Sequence, residues 1–127
     1  METESHRIVV SIGSDSGDRR ENVVKAIEWL SGLLGDFRSS DVYETPPYGH
    51  AGSNYMNAVA SGVWNEDLKA FVRECKRYEV LCGRDLSARI RKEVPIDVDL
   101  VVADGETVRP EDFRREFFQI GYRQINQ

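Results

Sequence analysis

The run Pro95-Ile96-Asp97-Val98-Asp99-Leu100-Val101-Val102 constrains this chain most, because it sets two carboxylates two residues apart inside an otherwise apolar, β-branched stretch. Such a stretch favours a strand, in which alternate side chains share a face. Ile96, Val98, Leu100 and Val102 are then expected to face a core, with Asp97 and Asp99 together on the opposite face, about 7 Å apart along the strand. Two anions held that close either attract a cation or lie on a wet sheet face. Mg²⁺ is a suitable cation, since it prefers hard oxygen ligands and is commonly shared between carboxylates and substrate phosphates.

The rest of the composition limits the classes open to such a strand. A chain of 127 residues fits one domain, expected over residues 1–127, with enough core to fold without disulfides. Cys75 and Cys82 are seven positions apart in one expected helix, too far apart to bridge, and no Cys/His cluster suggests zinc. They read as thiols of a reducing cytoplasm. No apolar run approaches a membrane span, and residues 1–7 lack the apolar centre of a signal peptide. The expectation is a cytoplasmic protein with no membrane partner. A net charge of −5 argues against a general nucleic-acid binder. Positive charge is nonetheless concentrated at Arg84, Arg89, Arg91 and Lys92, just ahead of the aspartate pair. That juxtaposition suits a small polyanion carried with metal ions, and a solvated basic loop has the same composition.

Along the chain, residues 7–14 predict an opening strand, and Asp18 with Glu21 three positions later forms a capping-box pattern. Val23, Val24, Ile27, Leu30 and Leu34 repeat at helical spacing towards Gly35, the expected helix end. Residues 37–44 predict one strand, and the following Thr45-Pro46-Pro47-Tyr48-Gly49-His50 stretch predicts a loop. A third strand is expected over residues 55–64, with Tyr55, Asn57, Val59 and Ser61 on one face. A helix capped near Asn65 should carry Leu68, Phe71, Val72, Cys75, Tyr78 and Glu79 and stop at Gly83. After the aspartate strand, Asp104-Gly105 signals a hairpin, Pro110 opens a helical turn, and residues 117–122 predict a final strand. The order β-α-β-β-α-β predicts an α+β, ferredoxin-like two-layer sandwich: an antiparallel sheet with helices on one face and the other partly open.

With these parts in place, the chain resembles the 6-hydroxymethyl-7,8-dihydropterin pyrophosphokinase family over residues 8–100 and more faintly to Phe117. The resemblance rests on Ile12-Gly13-Ser14, Tyr43-Glu44-Thr45-Pro46-Pro47, Tyr55-Met56-Asn57-Ala58, and the block from Gly83-Arg84 to Asp97-Val98-Asp99. It implies pyrophosphoryl transfer from ATP to a pterin alcohol in folate biosynthesis, giving AMP, with two Mg²⁺ held by Asp97 and Asp99. By the same resemblance, Thr45, Pro46, Pro47, Tyr48 and Asn57 read the pterin, and Tyr55 and Phe117 sandwich it. Glu79 and Arg84 fall on the nucleotide side, and Arg89 or Arg91 is expected to meet phosphate. Arg84, Asp97 and Asp99 form the implied catalytic set. His6 and His50 match no role. The partners implied are ATP and a pterin alcohol, not a nucleic acid.

The chain also departs from that pattern. Val94 stands where the family carries an arginine three residues before the first aspartate, Lys92-Glu93 replaces Gly-Pro, and Asp15 replaces an asparagine. Only Arg115-Glu116-Phe117 matches the family's later Arg-x-aromatic piece, and the His-plus-basic element that closes over ATP has no counterpart. A shortened active enzyme is the leading reading. A relative that binds pterin or nucleotide without efficient turnover, and a ferredoxin-like interaction module, are the alternatives.

Overall fold

The computed structural model describes residues 4–47 and 52–127; Tyr48 and His50 lie outside the described residues. The elements are β1 (His6–Ser14), α1 (Arg19–Leu33), β2 (Gly35–Ser39), β3 (Tyr43–Thr45), β4 (Tyr55–Trp64), α2 (Leu68–Leu81), α3 (Leu86–Ile90), β5 (Asp97–Ala103), β6 (Glu106–Thr107), α4 (Pro110–Arg114) and α5 (Glu116–Ile125). The strands form one antiparallel sheet in the order β2-β4-β1-β5-β6, with β3 also paired to β4. The α+β class and the antiparallel sheet inferred from the sequence are both present.

Alternation decides which face each strand buries. Ile8, Val10 and Ile12 of β1, Met56, Ala58 and Ala60 of β4, and Val98 and Leu100 of β5 pack with Val23, Ala26 and Leu30 of α1 and Phe71 and Cys75 of α2. Asp18 caps α1 by accepting the Glu21 N–H at 3.2 Å, and Asp67, in the expected neighbourhood of Asn65, caps α2 by accepting from Ala70 N at 2.8 Å. Trp29 of α1 stacks on Tyr78 of α2 at 4.2 Å between ring centroids, joining the two helices above the sheet.

Several expectations change. Helix α1 closes at Leu34 in extended geometry, and Asp36 rather than Gly35 takes the left-handed conformation (φ 49°), as Gly35 already pairs with Val63. The strand expected over residues 37–44 is two strands. Ser40 divides them, its N–H donating to the Val59 carbonyl at 2.8 Å and its hydroxyl accepting from Val59 N at 2.9 Å, so the ladder of β4 stays satisfied across the break. The basic loop contains a helical turn, α3, capped by Asp85.

In β5 the pairing with β1 shifts between Val9 and Val10, so Val9 faces Val102 while Val10 faces Leu100, leaving Val101 as the extra residue of a β-bulge. Val102 therefore joins Val9 on the second face instead of continuing the core face of Val98 and Leu100. The Asp104-Gly105 turn has positive φ at both positions (52° and 81°), as a tight hairpin of the primed type requires.

The strand expected over residues 117–122 is helical. Phe118, Gly121, Tyr122 and Ile125 fall at helical spacing, and α5 lays them against Val59, Val101 and Val102 on the second face. That face is therefore covered at one end by α4 and α5, in addition to the two long helices on the other side.

Candidate functional site

The uncovered end of the second face is where alternation collects the polar residues of three strands. Gly13 of β1 lies opposite Asn57 of β4 on one side and Asp97 of β5 on the other, and Ser11 lies opposite Asp99. A row reading Asn57-Gly13-Asp97 is hollow in the middle, because Gly13 contributes no side chain. A Cβ there would sit 3.4 Å from Asn57 Oδ1 and from the Tyr55 ring, which places both groups at the rim of the hollow. The cleft above it, about 160 Å³, is lined by Ser11, Gly13, Thr45, Pro46, Tyr55, Asn57, Asp97, Asp99, Arg109, Asp112 and Phe117.

Asn57 is 3% exposed, and its Nδ2 donates to Thr45 Oγ1 at 2.7 Å and to the Tyr55 carbonyl at 3.3 Å. Both bonds fix the amide so that Oδ1 faces the hollow as an acceptor. Burial, followed by the charges of Asp15 and Asp97, pushes the Tyr55 phenol up to about 12, so the ring stays neutral. Phe117 lines the same cleft from the first turn of α5. Its carbonyl accepts from the Tyr43 hydroxyl at 2.5 Å, and that oxygen in turn accepts from Gly121 N at 3.1 Å.

The acidic side of the cleft continues around the free edge of β5. Glu79, from the last turn of α2, is buried and its Oε2 accepts from Val98 N at 2.8 Å, so a carboxylate occupies a strand-edge donor that no strand among the described residues pairs with. Ligand oxygens of Glu79, Asp97 and Asp99 lie within 4.8 Å of one another. Two cations are drawn in. Arg84 Nη1 is 2.9 Å from Glu79 Oε1 and 2.7 Å from Asp97 Oδ1, while Lys76 Nζ is 3.2 Å from Glu79 Oε2 and 3.3 Å from Asp99 Oδ1. Desolvation, then the hydrogen bond and charge of Asp97, pushes the Asp99 carboxyl up to about 6 against the opposing pull of Lys76 and Arg109. Three hard oxygen donors at one point suit a divalent cation of the Mg²⁺ type.

Of the residues singled out in the sequence, Thr45, Pro46, Tyr55, Asn57, Asp97, Asp99 and Phe117 meet in the cleft, and Arg84 and Glu79 sit against its acidic side. Pro47 does not line it, and Tyr48 lies outside the described residues. Arg89 is exposed on the last turn of α3, and Arg91 is engaged with Glu93 and with the Ser87 hydroxyl. Neither lines the cleft.

Three participants escaped sequence reasoning. Lys76 lies one helical turn before Glu79, a spacing that was readable once Glu79 was placed. Arg109 and Asp112 arrive with the chain that returns from the Asp104-Gly105 hairpin, held where Val108 N donates to Val101 O at 2.7 Å. Arg109 Nε is 2.6 Å from Asp112 Oδ2, and its positive charge is felt by Asp99. At Val94, where an arginine was expected, both backbone groups are tied to Asp15: Asp15 N donates to Val94 O at 2.9 Å and Val94 N donates to Asp15 Oδ1 at 2.6 Å. Asn22 Nδ2 adds a bond to the Pro95 carbonyl at 3.1 Å, so the end of the basic loop is fastened to the β1–α1 turn.

A search of curated proteins finds no match to this chain. A family model for 7,8-dihydro-6-hydroxymethylpterin-pyrophosphokinase (HPPK) matches residues 9–127, nearly the whole length and every residue of the cleft, and the chain belongs to that family.

Proposed function

We propose that the chain transfers the pyrophosphoryl group of ATP to the hydroxymethyl oxygen of 6-hydroxymethyl-7,8-dihydropterin, a step of folate biosynthesis in the cytoplasm. The observation that carries this reading is the row Asn57-Gly13-Asp97, which sets a flat hollow directly beside an acidic centre. A planar heterocycle fits between the Tyr55 and Phe117 walls, with Asn57 Oδ1 accepting from a ring-edge N–H. The hydroxymethyl arm then points from the hollow over Gly13 towards Asp97.

In the transfer, the alcohol oxygen forms a bond to the β-phosphorus and the bridging bond to the α-phosphate breaks. AMP departs, and the alcohol proton is lost to solvent. Little covalent chemistry is required of the protein; positioning and charge stabilisation supply the rate. Glu79, Asp97 and Asp99 would hold Mg²⁺, two ions by family analogy, which when bound neutralises triphosphate charge. Arg84, just beyond the end of α2, and Arg109 of the cleft lining bring guanidinium groups to that centre, each suited to a phosphate oxygen.

Phosphorus NMR of the products tests the reaction. The expected result is AMP together with a diphosphate ester on the pterin, formed only when pterin and Mg²⁺ are both present. Cleavage to ADP, or AMP formed independently of pterin, would contradict it. Val94, with no cation at its position, favours a second reading in which pterin and nucleotide bind but turnover is slow. Binding of both ligands with no diphosphate ester formed would select that reading.

A further inference from the structure

The two cations of the acidic centre are arranged in parallel. Each bridges Glu79 to one aspartate, Arg84 to Asp97 and Lys76 to Asp99. They are not held equally. Glu79 is fixed by Val98 N–H, and Arg84 is only 31% exposed, whereas the Lys76 side chain is 53% exposed and reaches the centre from the outer surface of α2. An ammonium on a flexible four-carbon stem can leave and take a new partner, unlike a fixed guanidinium fork.

We propose that Lys76 is a displaceable counterion that couples metal binding to nucleotide binding. Without nucleotide, its ammonium neutralises Asp99 and Glu79, and an incoming divalent ion must separate it from both. When a metal-bound triphosphate enters, the ammonium moves from Asp99 to a phosphate oxygen, and the carboxylate is released to the metal. The free ion therefore binds weakly, the ion with nucleotide binds tightly, and the two affinities enhance each other by the same factor. This role rests on the proposed phosphoryl-transfer reading, since it requires a metal-triphosphate at Asp97 and Asp99.

The test measures Mn²⁺ retained by the full chain from the free-ion signal in electron paramagnetic resonance, with and without α,β-methylene-ATP, in which the bond that must break is replaced. The wild type should bind Mn²⁺ weakly alone and much more tightly with the analogue. Lys76→Gln, a change on a half-exposed helix surface with similar helix propensity, should tighten Mn²⁺ binding without nucleotide by about tenfold and reduce the coupling by a similar factor. Lys76→Arg, which keeps the charge on a fixed guanidinium fork, should keep Mn²⁺ binding weak without nucleotide and restore only part of the coupling. Equal Mn²⁺ affinity of the wild type and Lys76→Gln without nucleotide would overturn the role of Lys76 while leaving the metal centre intact. No Mn²⁺ binding with the analogue in the wild type, and no difference from Asp97→Asn, would overturn the centre and the role together.

Discussion

The Glu79 carboxylate receives Val98 N–H, the Arg84 guanidinium and the Lys76 ammonium while remaining 3% exposed, so it joins α2, the free edge of β5 and the acidic centre at one point. Glu79→Ala would leave a strand N–H and two cations without that acceptor. Denaturant unfolding should show a loss of about 2–4 kcal/mol, within the range for breaking a partly buried ionic network. Glu79→Gln keeps an oxygen for Val98 and should cost about 1 kcal/mol, while still weakening metal-dependent nucleotide binding. Arg109 lines the cleft and belongs to neither hydrophobic cluster. Arg109→Gln should therefore leave stability unchanged and lower kcat/KM for ATP by about 100-fold in steady-state assays, as expected for loss of one charge clamp on a transferring group. Asp97, Asp99, Tyr55 and Asn57 were legible in the sequence because strand alternation alone decides which side chains share a face. The reach of Lys76 to Asp99 and the position of Arg109 were not, because they depend on α2 lying along the β5 edge and on the path of the chain after the hairpin. Those are tertiary relations with no local signature.

At the scale of elements, α5 decides how much of the second face stays open. Its aromatic residues suggested a strand by propensity, but the Phe118, Gly121, Tyr122 and Ile125 spacing matches a helix, and packing on Val59 and Val101 settles the competition. Close approach to β4 depends on Gly121, where a Cβ would lie 2.6 Å from Val59 Cγ2 and 2.8 Å from the Tyr43 hydroxyl. Gly121→Ala should therefore destabilise the protein by about 1–3 kcal/mol in thermal or chemical unfolding, the steric cost exceeding a helix-propensity gain of about 1 kcal/mol. Because Tyr43 also holds the Phe117 carbonyl, the same change should loosen the Phe117 wall and raise KM for pterin more than KM for ATP. The β-bulge at Val101 was equally hidden. The sequence shows an unbroken apolar run there, and only the pairing with Val9 and Val10 reveals that Val102 has changed face.

Taken whole, the molecule divides its labour between the two faces of one sheet. One face buries Ile8, Val10, Ile12 and Val98 against Leu30 of α1 and Phe71 of α2, supplying the main core, and the other carries the cleft at the end that α5 leaves uncovered. This division lets Asp97 alternate with Val98 in one strand, so the strand that anchors the core also presents the acidic centre. A change from carboxylate to amide at Asp97 should leave the core face untouched, which makes it a clean probe of chemistry. The decisive measurement is AMP release from ATP and Mg²⁺ by highly purified wild type and Asp97→Asn, each with and without 6-hydroxymethyl-7,8-dihydropterin. Pterin-dependent AMP release by the wild type, abolished in a folded Asp97→Asn variant, is the predicted result. Release that is unaffected by the substitution, or that does not depend on pterin, would contradict the assignment of this cleft as the site of pyrophosphoryl transfer.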